Sequence, residues 1–181
     1  GKENADAAAE IETILNQNNL EHISVHRESG VFQAGDSLSS MTLVVAENGT
    51  LDGYFALKDI DSGNMLDVPD SGALVPRRFH EYYRIDVGGT VPAYDSGINL
   101  CKLPVAGVFE NYYGQLFFLS PQGYEESFKV APEPNCFYVK TGGIPLSELQ
   151  KKLEGVQGLT RVADAATERV MIGQFTSSLN F

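Results

Sequence analysis

Gly35-Asp36-Ser37-Leu38-Ser39 is the chain's best candidate for bond-breaking chemistry, because a serine in such a run could act as the nucleophile of an esterase. That chemistry needs a histidine base held by an acidic partner and donors for an oxyanion. The three histidines are His22, His26 and His80, preceded three positions earlier by Asn19, Ile23 and Arg77. None has the aspartate of an Asp-x-x-His pair, and none lies in the last hundred residues. The run reads as a turn, and no catalytic residue is assigned.

Metal and phosphate chemistry fare no better. His22 and His26 on a strand would share a face about 13 Å apart at roughly 3.3 Å per residue, too far for one ion. They read as partly exposed strand residues. Asp59-Asp61 and Glu125-Glu126 sit in solvated patterns, and Gly88-Gly89-Thr90 lacks the lysine of a phosphate loop. No cofactor and no metal ligand is assigned. Cys101 and Cys136 fall in expected strands and read as small buried apolar residues; whether they pair is left open by the sequence.

Aromatic pairs offer recognition rather than catalysis: Tyr82-Tyr83, Tyr112-Tyr113 and Phe117-Phe118. Adjacent residues on a strand point to opposite faces, so one of each pair faces away from the core unless both faces are covered. Exposed tyrosine combines rigid area with a polar tip, which suits a contact surface. Tyr82, Tyr83, Asn111, Tyr112 and Tyr113 are the candidate partner-binding residues.

The elements that would position these residues can be read from periodicity. The chain has 181 residues, 43% of them hydrophobic and 10% aromatic, enough for a globular core. Its net charge of −11 argues against nucleic acid and anionic lipid, which require clustered lysine and arginine. No run reaches the roughly 18–20 apolar residues of a membrane span. Gly1 before Lys2 reads as a remnant of tag removal and the chain as trimmed at both ends, so a missing leader does not argue for the cytoplasm.

A helix is expected over 2–19, with Ala8, Ile11, Ile14 and Leu15 on one face. Strands follow at 22–26 and 41–46. Pro76 opens a short helix over 77–83, strands run near 90–94 and 100–109, and Ser120-Pro121 starts a helix ending near Phe128. After a strand at 136–140, Pro145 starts a helix with Leu146, Leu149 and Leu153 inward. Asp164 is expected to cap a final helix whose Val170, Met171, Phe175 and Leu179 share a face. The fold class is therefore α/β (α+β), with a lobe formed by 1–50 and 130–181 and a smaller β-rich lobe, 51–129, inserted between.

From about Ala73 onward the chain resembles the extracytoplasmic domain of FtsX-like (MacB-type) ABC transporter permeases, which are common in Gram-positive bacteria. The resemblance rests on Phe79 to Tyr83 followed by Asp86-Val87-Gly88-Gly89-Thr90, then Glu110-Asn111-Tyr112, Phe118-Leu119-Ser120, Tyr124-Glu125, Phe128, Asn135 and Ser178-Leu179-Asn180. Gly89 replaces the family's usual acidic residue, and Gly114-Gln115-Leu116 replaces a commoner histidine-aromatic pair; residues 1–72 match in outline only. The resemblance implies a MacB-type periplasmic core with a porter-like lobe, placed outside the cell membrane between transmembrane helices one and two. It implies a non-catalytic role: binding a protein, peptide or lipid-linked substrate and coupling its shape to the membrane helices, with the final helix as the coupling rod. The implied partners are a cytoplasmic ABC ATPase, reached through the rest of the permease, and a second permease copy. A free-standing secreted or surface-anchored module that binds peptide or glycan is the alternative reading.

Overall fold

The computed structural model describes residues 2–111, 113–158, 161–166 and 169–173. Among them are four helices and nine strands in mixed α/β order. The chain divides into two compact units, Gly1–Val25 with Pro134–Phe181, and His26–Glu133.

In the first unit, α1 (Lys2–Gln17) buries Ala7, Ile11 and Leu15, residues spaced by four along one stripe. It stops where Asn19 takes a left-handed φ of 53° and the Leu20 N–H bonds back to the Leu15 carbonyl at 2.9 Å. Four strands form an antiparallel sheet in the order β1, β7, β9, β8. They are the first residues of β1 (His22–Ala34), β7 (Cys136–Lys140), β9 (Arg169–Gly173) and β8 (Arg161–Ala166). Phe137 and Val139 of β7 and Val170 and Ile172 of β9 share one core with α1 and with Leu149 and Leu153 of α4 (Leu146–Leu153). These alternate residues lie on one face of the sheet.

The expected helix from Asp164 is corrected here: residues 161–166 and 169–173 are the strands β8 and β9. Phe137 pairs with Ile172 and Val139 with Val170 in register. Val170 and Met171 satisfy a helical and an extended pattern equally well over so short an apolar run. The partner strand β7, some thirty positions upstream, decides between them. Phe175, Leu179 and the Ser178-Leu179-Asn180 landmark lie outside the described residues.

The second unit contains six strands that close on themselves. The rest of β1 pairs with β2 (Ser37–Val45) through a tight turn at Gly35-Asp36. β2 runs parallel to β6 (Leu116–Leu119), which meets β3 (Ala73–Pro76) antiparallel. β3 is parallel to β5 (Leu100–Phe109), β5 antiparallel to β4 (Thr90–Tyr94), and β4 returns to β1 at Val31↔Tyr94 and Phe32↔Ala93. A closed ring removes the unpaired edges that an open sheet presents. The β1–β2 hairpin lies in this unit.

Phe32, Met41, Leu43, Val75, Val91, Leu103, Val105 and Phe117 form its core, joined by Phe79 of α2 (Arg77–Tyr83) and by Tyr124 and Phe128 of α3 (Pro121–Phe128). The expected cap of α3 is present: Ser120 Oγ accepts the Gly123 N–H at 2.9 Å, and Pro121 supplies the first turn. β3 and β6 are four-residue strands buried throughout, so neither shows the alternation by which strands are read.

Ring closure forces β1 against β4 at Gly30, where an added Cβ would lie 2.7 Å from the Tyr94 carbonyl oxygen and 2.8 Å from Met41 Sδ. The carbonyl is backbone and cannot step aside. Gly30→Ala is expected to lower stability by about 1–3 kcal/mol, the range for overpacking a tight core. Denaturant unfolding measures it, and an unchanged midpoint would show that β1 and β4 part freely.

Candidate partner-binding surface

The helix α2 begins directly after Pro76, whose φ of −74° and ψ of 149° are extended, and ends at Arg84 in the left-handed region at φ 56°. Seven residues give two turns, so adjacent side chains diverge by about 100°. Phe79 turns inward and meets Phe32 and Phe117 at ring distances of 5.1 and 5.5 Å. Tyr83 lies half-buried, its ring 5.0 Å from Phe32, and its hydroxyl shares a 2.8 Å hydrogen bond with Ser39 Oγ. Tyr82 is left 77% exposed, edge-on to Tyr83 at 4.8 Å. A cleft of about 320 Å³ is lined by Arg78, Phe79, Tyr82, Tyr83 and Gln115.

The other candidates behave differently. Tyr113 is half-buried; its ring packs edge-on against Phe55 at 5.1 Å, and its hydroxyl accepts the Ala56 N–H at 2.9 Å. Asn111 is half-buried just beyond β5, and Tyr112 lies outside the described residues. Phe117 and Phe118 are both fully buried, Phe117 in the ring core and Phe118 against Phe55 and Phe109 on the opposite face. Of the two pairs fully described on α2 and β6, only that on α2 presents a ring to solvent.

The residues weighed for catalysis are placed just as plainly. Ser37 is exposed at the start of β2. His22 faces the Leu20 carbonyl and Glu12, His80 the Ile85 carbonyl and Asp86, and His26 the Glu133 carbonyl and Glu28; none of the three touches Ser37. The Asp59 carboxylate accepts the Ser62 and Asp61 N–H groups, and the Ser62 bond leads in lowering its pKa. That is a turn cap. Cys101 and Cys136 are not joined by a disulfide, and burial, with the Asp95 charge second, pushes the Cys101 thiol up to about 11. Among the described residues no three His, Cys, Asp or Glu side chains gather as a metal ion would need. A cleft of about 570 Å³ beside the start of α3 is acidic, lined by Glu47, Asp70, Glu125 and Glu126.

One polar constellation was not legible in the sequence. The side chain of Glu28 in β1 is only 8% exposed, among donors from three elements. Its Oε1 accepts from His26 Nε2 at 2.8 Å and from the Tyr124 hydroxyl; its Oε2 accepts from the Ser96 N–H at 3.0 Å and the Ser96 hydroxyl. Burial alone would raise the Glu28 pKa, but the bonds from His26, Ser96 and Tyr124 outweigh it and hold the group at about 2. Asp95 lies 3.3 Å from the Tyr124 hydroxyl and otherwise caps its own turn, accepting from the Asn99 N–H and Nδ2. Burial first, then the bond to Glu28, drives the Tyr124 pKa upward. Tyr124 stood out in the sequence only as a family landmark.

No family model matches the chain, and no curated protein matches it. A solved structure that aligns with it is the extracellular domain of the noncanonic ABC-type transporter YknZ from Gram-positive bacteria. The alignment covers 92% of this chain and 72% of that one, at 10% identity and a TM-score of 0.45. Overlap at that level carries no argument about binding or activity.

The α2 geometry separates surface from core within one helix. Tyr82→Ala is expected to shift stability by no more than about 0.5 kcal/mol, as exposed substitutions do. Phe79→Ala, which empties the ring core, is expected to cost about 3–5 kcal/mol. Thermal unfolding of the two variants checks this; equal losses would mean that Tyr82 is not the free face of α2.

Proposed function

We propose that the chain is a non-catalytic extracytoplasmic domain of an FtsX-like (MacB-type) ABC transporter permease, standing between the first and second membrane helices. It binds a protein, peptide or lipid-linked partner and passes shape change to those helices, while the ATPase is a separate cytoplasmic chain. The observation that carries this reading is the role of the residues on which the resemblance rests. In chain order, Phe79 plugs the ring core, Ser120 caps α3, Tyr124 reaches Glu28, and Phe128 is 1% exposed in the same core. A motif series whose members each secure a different part of one fold marks a fold family rather than a catalytic site.

Two further facts support it. α1 and the last described strand, β9, belong to the same unit, so segments continuing from both sides could enter one membrane together. With β8 and β9 extended, coupling is assigned to α1 and this hairpin rather than to a C-terminal helical rod. No helix among the described residues is long and apolar enough to cross a membrane, so the spans would lie outside this segment. On this reading the partner surface is α2 at Tyr82 and Tyr83, where one tyrosine ring faces solvent beside a small cleft.

The coding sequence on either side of this segment decides the matter. About 20 consecutive apolar residues are expected shortly after Phe181 and another such run before Lys2. A stop codon or a polar linker on the C-terminal side would remove the permease reading and leave the secreted binding module. Reversing Arg77 and Arg78 to glutamate is expected to leave the thermal midpoint nearly unchanged, because Arg77 pairs with Glu81 and Glu110 on the surface.

A further inference from the structure

His26 and Glu133 are the first and last residues of the second unit, and they are hydrogen-bonded to each other: His26 Nδ1 lies 2.7 Å from the Glu133 carbonyl oxygen. A carbonyl only accepts, so Nδ1 must carry a proton. The other ring nitrogen, Nε2, faces Glu28 Oε1 at 2.8 Å. That carboxylate already takes the Tyr124 hydroxyl on the same oxygen and the Ser96 N–H and hydroxyl on the other. With His26 it has four donors for four lone-pair positions, the arrangement of an ionised carboxylate, so Nε2 must donate as well. A ring with both nitrogens donating is an imidazolium. Tyr124 packs edge-on to it at 5.3 Å, and the ring is 17% exposed.

We propose that His26, held as an imidazolium between the Glu133 carbonyl and the Glu28 carboxylate, is a proton-dependent clasp closing the two points at which the chain enters and leaves the second unit. Loss of either ring proton breaks it. If Nε2 loses its proton, a lone pair faces the Glu28 carboxylate; if Nδ1 does, a lone pair faces the Glu133 carbonyl. The groups facing the ring are Glu28 from its own strand, Asp95 from the β4–β5 turn, Tyr124 from α3 and the Glu133 carbonyl from the returning chain. Burial opposes the charge, but the Glu28 and Glu133 bonds and the charges of Glu28 and Asp95 prevail and raise the His26 pKa above its ordinary 6.5.

Linkage gives the direction of the pH dependence. Because the folded pKa of His26 is raised, its contribution is full below about 6.5 and is lost as pH rises through the folded value. Because that of Glu28 is depressed to about 2 from 4.5, its contribution is full above 4.5 and is lost as pH falls toward 2. The clasp therefore contributes its full stability between about pH 4.5 and 6.5, and on the alkaline side it releases as pH rises through the raised His26 value.

The test is NMR titration of the 181-residue chain. Both His26 ring nitrogens are expected to be protonated at pH 6.5, with a midpoint above the ordinary 6.5 and the Glu133 carbonyl carbon resonance titrating at the same midpoint. Glu28→Gln should lower the proton affinity of His26 at least tenfold, and His26→Gln should flatten the alkaline fall in thermal midpoint. A midpoint at or below 6.5, a Glu133 resonance that does not follow it, or a Glu28→Gln chain with unaltered His26 titration would overturn the proposal. The wild-type titration decides between these outcomes even where a variant fails to fold.

Discussion

A carboxylate taken out of water must be surrounded by donors or give up its charge, and Glu28 imposes that constraint on the second unit. Its four donors come from its own strand, from the turn after β4 and from α3, elements separated by up to 96 positions. Each must arrive in register for the group to stay ionised. The closed ring of strands brings them there. Apolar packing between Phe32, Phe79, Phe117 and Phe128 is more tolerant, because hydrophobic contact has no direction and similar volumes exchange at modest cost. The carboxylate does not tolerate such exchange, since one missing donor leaves a buried charge partly unpaired.

The same ring determines what remains available for recognition. Its inside is filled by side chains. Both faces of β6 are covered, which is why Phe117 and Phe118 are core despite being adjacent. On α2 one face meets the ring and the other does not, which divides Phe79 from Tyr82. The surface tyrosine is thus a consequence of where a two-turn helix seals the ring.

The residues weighed for catalysis have structural partners of the same kind. Ser37 belongs to a hairpin, Asp59 to a turn cap and each histidine to a local carbonyl or carboxylate. These polar residues hold loops and strands together. Ser120, Tyr124 and Phe128, on which the resemblance rests, likewise act on the fold.

By itself the sequence determined the set of elements whose forces are local. Pro76 and Pro145 cannot continue a preceding helix but suit the start of one, Ser120 can cap only the helix on its C-terminal side, and Asn19 stops α1 by adopting a left-handed φ. Those boundaries were legible to within a residue or two. The tertiary structure alone decided β3, β6, β8 and β9, because a four-residue buried strand or a short apolar run has no period of its own and is extended only when a distant partner pairs with it. It also decided the company of Glu28 and His26. A glutamate two positions from a histidine reads as surface until Ser96 and Tyr124 close over it, and that closure depends on chain topology, which no local spacing records.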